Sequence, residues 1–151
     1  MALDDDIRIL SGVELFDGFT SEQLRLLAFG AENLRLAAGR ILYREGQSAE
    51  SGYVVTTGKV SLFRETEGER VSLAQVGPGA MLGEMAIIAP TNRLTGAVAI
   101  DDVELIRLNR TLFRRILTEY PETAAMLHQR ILANLSALLT DIQALAPRFS
   151  D

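Results

Sequence analysis

The sequence predicts a mainly β fold, an antiparallel barrel or jelly roll with helices at both ends of the chain. Short apolar runs separated by turns fill residues 41–108, a spacing typical of closed all-β architectures. Before and after this region, apolar residues instead recur every three or four positions, as on one face of a helix. With 151 residues, 48% of them apolar, the chain is long enough for one domain, which we place over residues 1–151.

The N-terminal part, residues 15–37, is predicted to be helical. Thr20 and Gln23 have the spacing of a capping box, in which each side chain bonds the other residue's backbone amide. An apolar face follows along the same helix: Leu24, Leu27, Ala28 and Ala31. The acidic residues that precede this part, Asp4, Asp5 and Asp6, are interpreted as a solvated terminus.

Residues 38–108 carry the predicted barrel. Apolar runs predict strands over residues 41–43, 53–55, 60–63, 71–73, 94–100 and 103–108. Glycines lie between or beside these runs, where turns need unusual backbone angles: Gly39, Gly46, Gly58, Gly68, Gly77 and Gly79. We therefore expect the helices to lie outside this segment.

Residues 109–146 are predicted to form two helices. Asn109 is the expected cap of a helix over residues 111–119, whose buried side carries Leu112, Phe113, Ile116 and Leu117. Pro121 begins the second helix, with Glu122 near its positive end. Pro147 is predicted to stop this helix at about Ala146.

The last helix carries apolar residues at the four-three-four-three spacing of a coiled-coil seam: Ile131, Leu135, Leu138, Ile142 and Leu145. Either this stripe packs onto the chain's own barrel or it meets a second copy. The second interpretation is favoured because Leu127, Leu132 and Leu139 lie off the seam and could face the barrel. The sequence therefore predicts a homodimer through residues 121–146.

Composition narrows the function. The chain has no cysteine and needs no disulfides, no apolar run approaches the roughly 20 residues of a membrane span, and its first residues are acidic. We expect a cytoplasmic protein without a membrane partner. A net charge of -5 opposes the basic surface that nucleic-acid binding usually requires, so no direct DNA binding is expected.

One motif points to a ligand. Gly83-Glu84-Met85-Ala86 is followed, nine residues after the glutamate, by Arg93. A glycine allows close backbone approach, and a guanidinium can hold two phosphate oxygens at once. A carboxylate would repel phosphate but accepts hydrogen bonds from sugar hydroxyls. The motif therefore predicts a pocket for a small anionic sugar phosphate.

Together these features resemble the cyclic nucleotide-binding domain family, over nearly the whole chain. Residues 16–27 resemble its first helix, residues 38–46 its first strands and residues 53–60 its next hairpin, and residues 83–97 resemble its phosphate-binding cassette. The resemblance implies a jelly roll, or double-stranded β-helix, with an N-terminal helix and a long C-terminal helix. It also implies a cyclic nucleotide receptor, and we expect this receptor to signal by moving its last helix. Because the sequence has no cysteine, no histidine cluster and no nucleophile–base pairing at a recognisable spacing, we expect no enzymatic activity and no metal or other cofactor.

In that family the cassette wraps the ligand's phosphate and ribose. The resemblance places Glu84 on the ribose 2'-hydroxyl and Arg93 on the phosphate, assisted by the backbone amides of Met85 and Ala86. The implied binding residues of the cassette are Leu82, Gly83, Glu84, Met85, Ala86, Arg93, Leu94 and Thr95. The C-terminal helix often caps the base, and the candidates there are Asn134, Leu138, Leu139 and Thr140. Asn134 is expected either to bond an adenine edge or to set dimer register.

Leu94 departs from the family pattern, which often has a small hydroxyl residue or alanine after the arginine. Strand alternation predicts that Thr95 points away from the pocket and cannot supply the missing hydroxyl, which leaves its backbone amide as the group that could take over. Loss of one neutral hydrogen bond costs on the order of 1 kcal/mol, so we expect weaker binding rather than none. Without that route to guanine selectivity, the resemblance implies cyclic AMP more than cyclic GMP.

Three alternatives remain. A DNA-binding transcription regulator of the catabolite-activator type is disfavoured because only residues 147–151 follow the last helix, unless the chain is truncated before its helix-turn-helix. A cupin enzyme needs several histidines, and the chain has only His128, interpreted as a partly exposed helix residue. A dimeric interaction module that binds no nucleotide would keep the fold but leave the pocket unused. No feature identifies the downstream protein partner.

Overall fold

The computed structural model describes the backbone of residues 2–150 and the side chains of residues 3–137. Within this range the chain forms, in order, α1 (Ala2–Ser11), a 3₁₀ helix (Glu14–Phe16), α2 (Ser21–Gly30), β1 (Glu32–Leu36), β2 (Ile41–Tyr43), β3 (Ser48–Ala49), β4 (Ser51–Thr57), β5 (Val60–Thr66), β6 (Glu69–Val76), β7 (Met81–Leu82), a second 3₁₀ helix (Glu84–Ile87), β8 (Thr91–Asn92), β9 (Gly96–Ala99), β10 (Val103–Asn109), α3 (Arg110–Glu119) and α4 (Pro121–Ser150).

The strands form two four-stranded antiparallel sheets. One has the order β1-β10-β4-β7 and the other β2-β9-β5-β6, while β3 and β8 form a two-stranded ribbon. This arrangement, with its flanking helices, confirms the predicted jelly roll. All six predicted strands are present, whereas β1, β3, β7 and β8 were not predicted. The last three have two residues each, too few to show an alternating pattern.

The N-terminal region is not the helical segment predicted over residues 15–37. Glu14–Phe16 forms only a 3₁₀ turn, so the helix predicted over residues 16–27 begins at Ser21 instead. Residues 32–36 form a strand because Leu34 and Leu36 alternate with polar residues and pack on the core beneath the sheet. That strand pairs with β10.

The acidic N-terminus also differs from the predicted solvated segment, because it forms α1. Asp6 is only 8% exposed, and its Oδ2 atom accepts a hydrogen bond from Nδ2 of Asn33 at 3.3 Å. Leu10 on the same helix is fully buried in the core. The helix therefore joins the domain through an apolar contact and a polar contact to β1.

Both predicted helix caps are confirmed. Oγ1 of Thr20 accepts from the Gln23 amide at 3.2 Å, and Oε1 of Gln23 accepts from the Thr20 amide at 2.8 Å, which completes the capping box. Oδ1 of Asn109 accepts from the Leu112 amide at 2.8 Å at the start of α3. Of the four residues predicted on the buried side of α3, Phe113 and Ile116 are fully buried and the others partly buried.

Two apolar clusters meet beside the Gly83 turn. The cluster under the helices includes Phe113, Leu127 and Ile87, and the cluster inside the barrel includes Val55 and Leu82. Leu82 and Ile87 flank the motif on either side, so each end of this segment is anchored in a different part of the core. The segment between them is held by packing at both ends.

α4 packs through a different face from the predicted one. Leu127 is buried as expected, but Ile131 is also completely buried, and Leu132 is 55% exposed instead of facing the barrel. At 100° per residue, positions 127 and 131 share a side and position 132 lies far from it, so a helix burying the first two exposes the third. The seam residue Leu135 is half-buried, and Leu138, Leu139, Thr140, Ile142 and Leu145 lie outside the described side chains.

The helix also continues past its predicted stop at Pro147, to Ser150. A proline after the first turn removes one i→i−4 hydrogen bond and crowds the carbonyl of residue i−4, but its φ is helical, and the three residues that follow Pro147 keep helical backbone.

Candidate functional site

A cavity of about 360 Å³ lies between the barrel, residues 81–95 and α4. All eight predicted cassette residues line it: Leu82, Gly83, Glu84, Met85, Ala86, Arg93, Leu94 and Thr95. The sequence analysis missed further lining residues, among them Tyr43, Leu62, Asn92, Ile131 and Leu135. The walls are mostly apolar, with the charged groups Glu84 and Arg93 at separate points.

Arg93 is buried and only partly hydrogen-bonded. Its side chain is 8% exposed, and Nη2 donates to the carbonyl oxygen of Ser51 at 2.8 Å. The Nε and Nη1 atoms are buried without any hydrogen-bond partner among the described residues. Burial lowers the pKa of the guanidinium, and the neighbouring Arg107 lowers it further, while the tyrosines nearby act in the opposite direction.

Two tyrosine rings and a glycine hold this guanidinium in place. The Arg93 Cζ atom lies 4.2 Å from the ring centroid of Tyr43 and 5.6 Å from that of Tyr53. Gly83 has a left-handed backbone with φ of +69°, and a Cβ atom there would overlap Nη1 of Arg93. Glycine is therefore needed at position 83 both for the backbone angle and for the approach of the arginine.

Glu84 accepts a hydrogen bond from α4. Its Oε2 atom accepts a hydrogen bond at 3.1 Å from Nδ2 of Asn134. Burial raises the pKa of the Glu84 carboxyl, and the hydrogen bond from Asn134 lowers it by a smaller amount. Asn134, which was expected to bond an adenine edge or to set dimer register, instead donates to a carboxylate of the cassette.

The cassette backbone is partly satisfied within the protein. The Ala86 amide donates to the carbonyl oxygen of Gly83 at 3.1 Å, so it is not free to assist a ligand as predicted unless that bond breaks. Nη1 of Arg110 lies 3.4 Å from the carbonyl oxygens of both Ala49 and Ala86. This arginine ties the cassette to β3.

Leu94 and Thr95 both line the cavity, and Thr95 is the more buried of the two, which differs from the simple alternation that the sequence analysis assumed. Thr95 is 6% exposed and Leu94 is 38% exposed. Strand alternation does not apply here, because residues 94–95 form a bend and β9 begins only at Gly96.

A sequence model of the cyclic nucleotide-binding domain matches residues 33–120, more than half of the chain. The chain belongs to the cyclic nucleotide-binding domain family. The matched residues run from β1 to the end of α3 and include both Glu84 and Arg93. The domain therefore contains the complete cassette that the sequence resemblance implied.

Individual relatives agree with this membership. A solved structure of a cyclic nucleotide-binding-like protein from Brucella abortus is 63% identical, has a TM-score of 0.71 and covers 76% of this chain and 99% of that one. The cyclic AMP receptor protein of Thermus thermophilus is 32% identical over 127 residues, 81% of this chain and 59% of the receptor. Lysophospholipase NTE1 of Chaetomium globosum is 30% identical over 114 residues, 75% of this chain and 8% of the enzyme. The chain thus spans less than two thirds of the latter two relatives.

Other kinds of site find no support in the described part of the chain. There, no group of three or more histidine, cysteine, aspartate or glutamate side chains could hold a metal ion. His128 is exposed on α4. None of the helices, as far as the structure describes them, combines the length and the apolar character needed to cross a membrane.

Proposed function

We propose that the cavity binds a cyclic nucleotide, with Arg93 on the cyclic phosphate and Glu84 on the ribose 2'-hydroxyl. The observation that carries this proposal is the buried guanidinium with two unpaired nitrogen atoms. A buried donor without an acceptor costs about 1–3 kcal/mol, and more when it is charged. Phosphate oxygens supply both the acceptors and the negative charge that this group lacks.

The division of charge in the cavity supports one orientation of the ligand. A phosphate is repelled by the Glu84 carboxylate and attracted by Arg93, whereas a sugar hydroxyl can donate to the carboxylate. The apolar side chains of Leu62, Met81 and Leu135 line the remaining space and suit the faces of a base. Phosphate, ribose and base thus each have a region of matching chemistry.

The proposed ligand is cyclic AMP in preference to cyclic GMP. Leu94 stands where the family often carries a hydroxyl that can bond guanine, and a leucine side chain offers no such bond. The name of the Thermus relative, a cyclic AMP receptor protein, is consistent with this choice. Thr95 lies in the same cavity wall, so its hydroxyl is the group through which guanine could still be accepted.

We also propose that the domain signals through α4. Asn134 bonds Oε2 of the carboxylate that the ribose hydroxyl also needs, and the proposal is that the nucleotide takes over this oxygen and displaces Asn134. Arg130, one turn earlier, donates to the carbonyl oxygens of Leu15 and Asp17 and anchors the helix to the N-terminal region. Ligand binding would therefore shift α4 between two packings. Identical hydrogen exchange of residues 121–146 with and without saturating cyclic AMP would rule this out.

A homodimer through residues 121–146 remains part of the proposal. The exposed Leu132 supports it, because a large apolar side chain on a helix surface is a natural contact for a second copy. Sedimentation of the full chain should show a dimer that Leu132→Glu weakens; a wild-type monomer at all concentrations would exclude it. We further propose a cytoplasmic, non-enzymatic receptor that needs no metal or other cofactor and contacts neither DNA nor membrane, with an unknown downstream protein.

Calorimetric titration with cyclic AMP and cyclic GMP tests the binding proposal. We expect micromolar or tighter binding of cyclic AMP by the wild type, loss of binding in Arg93→Ala and no change in Arg64→Ala, a matched variant at a surface arginine. Leu94→Ser should reduce the difference in affinity between cyclic AMP and cyclic GMP. No heat with either nucleotide would reject the receptor and favour the interaction module.

A further inference from the structure

Arg93 is a buried cation that contacts no carboxylate among the described residues. The ion pairs found there involve other arginines, and the titratable groups that influence the pKa of Arg93 are Tyr43, Tyr53 and Arg107. Arg107 is itself positive and donates to Oγ of Ser51, the residue whose carbonyl oxygen Arg93 uses. The stabilisation of the guanidinium must therefore come largely from its uncharged neighbours.

Tyr43 is the nearest of these neighbours. Its ring centroid is 4.2 Å from Cζ of Arg93, inside the distance at which a ring face attracts a cation, and Tyr53 stacks beside it with centroids 6.2 Å apart. Tyr43 is 8% exposed and lies on β2, where it pairs with Ala97 of β9. The ring is thus fixed by the sheet and does not belong to the cassette.

Tyr43 contacts the Arg93 guanidinium through its ring face and not through a negatively charged phenolate oxygen. Burial raises the pKa of Tyr43 to about 12, so its hydroxyl stays neutral at physiological pH and cannot act as a phenolate counter-ion. A ring face attracts the guanidinium through its π electrons and accepts none of the in-plane N–H bonds. A carboxylate in the same place would pair with those N–H groups and compete with an incoming anion.

We propose that Tyr43 is the positioning residue of the anion site: its ring face holds the Arg93 guanidinium at the cavity wall while leaving Nε and Nη1 for the ligand. This inference rests on the proposed function. Gly83 lies so close to Nη1 that a Cβ atom there would overlap it, and in this proposal an anion reaches Nη1 when residues 83–87 move away from Arg93. Tyr43, on β2, keeps the arginine in place when residues 83–87 move.

The test compares Tyr43→Phe, which keeps the ring, with Tyr43→Leu, which removes it, in the full chain. Loss of a desolvated cation–π contact should weaken cyclic AMP binding in Tyr43→Leu by roughly tenfold, and Tyr43→Phe should stay within about threefold of the wild type. Tyr53→Leu should weaken cyclic AMP binding less, because the Tyr53 ring is farther from Cζ of Arg93 than the Tyr43 ring is. Thermal unfolding of each variant checks that the fold persists.

A second measurement does not depend on nucleotide binding. In the protein without added nucleotide, the NMR signal of the Arg93 Nε–H, assigned by its loss in Arg93→Lys, should show an upfield ring-current shift. That shift should persist in Tyr43→Phe and disappear in Tyr43→Leu. Equal affinities in the Phe and Leu variants, tighter binding by Tyr43→Leu, or an unshifted wild-type signal would overturn the inference. If the wild type binds no nucleotide but the shift behaves as described, the receptor function fails while the arginine–tyrosine contact stands.

Discussion

Arg64 and Arg93 are the same side chain in opposite electrostatic settings. On β5, Nε and Nη2 of Arg64 donate to the two carboxylate oxygens of Glu45 at 3.3 and 2.7 Å, and each side chain is 34% exposed. In the cavity, Arg93 has one carbonyl acceptor, two ring faces and two nitrogen atoms without a partner among the described residues. Donating hydrogen bonds to Glu45 raises the pKa of Arg64, whereas burial lowers the pKa of Arg93.

The difference separates an arginine that serves the fold from one that serves a ligand. A partly exposed ion pair is complete within the protein, and such pairs contribute only about 0–1 kcal/mol. A buried, unpaired guanidinium instead carries a desolvation cost that the folded chain does not offset by itself. An anion bound in the cavity would offset this cost by pairing with the guanidinium and accepting its free hydrogen bonds.

Replacing Arg93 by methionine should have the largest effect on cyclic AMP binding. Arg93→Met should weaken cyclic AMP binding by at least about 30-fold, since losing a charged contact costs about 2 kcal/mol or more. The same change removes an unpaired buried charge, so the free energy of unfolding should stay level or rise. Titration and urea unfolding measure the two effects. A loss of more than about 2 kcal/mol of stability would instead make Arg93 a structural residue.

Gly83→Ala should have the next largest effect on cyclic AMP binding. The new Cβ atom overlaps Nη1 of Arg93 and forces a side chain into a left-handed backbone that costs about 1–2 kcal/mol. We expect at least tenfold weaker cyclic AMP binding together with a lower melting temperature. Gly39→Ala is the matched control, because that glycine also has positive φ but a Cβ atom added there would meet nothing within 4 Å. It should lose stability without losing affinity, and equal affinities in the two variants would contradict this account.

Glu84 should make binding and stability depend on pH in opposite directions. Its folded pKa is raised above the unfolded value of about 4.5, so its contribution to the free energy of unfolding is largest below 4.5 and falls as pH rises through the folded pKa. The charged form is the better acceptor for a ribose hydroxyl, so cyclic AMP affinity should fall severalfold as pH drops from neutral toward 4.5. Glu84→Gln should remove both dependences; an unchanged profile in that variant would assign the effect elsewhere.

The smallest effect on stability is expected for the ion pair of Arg64 and Glu45. A double-mutant cycle of Arg64→Ala and Glu45→Ala should give a coupling energy of about 0.2–1 kcal/mol that weakens with added salt. Cyclic AMP affinity should be the same in all four proteins. A loss of affinity in Arg64→Ala would break the distinction between the two arginines.

Local features of the fold could be predicted from the sequence because they depend on neighbours in the chain. The Thr20 capping box, the Asn109 cap and the longer strands are of this kind. The face on which α4 packs could not be predicted, because two apolar stripes were available and only the tertiary structure decides between Ile131 and Leu132. Two-residue strands are likewise fixed by their partners and not by their own pattern.

The candidate site shows the same limit. Glu84 and Arg93 stand close together in the sequence, so the motif identified them. The contacts of Arg93 with Tyr43 and of Asn134 with Glu84 each join residues 50 positions apart. The aromatic residue in the short run of residues 41–43 was a signal for the first contact, but nothing local connects it to an arginine. The bend at Leu94 and Thr95 broke the alternation from which the orientation of Thr95 was predicted.

A crystal structure of the full chain with cyclic AMP tests the central claim most directly. The account predicts phosphate oxygens within hydrogen-bond distance of Nε and Nη1 of Arg93, the guanidinium still against Tyr43, and a ribose hydroxyl on Glu84 with Asn134 released. A bound nucleotide whose phosphate lies elsewhere, with both arginine nitrogen atoms still unpaired, would contradict it.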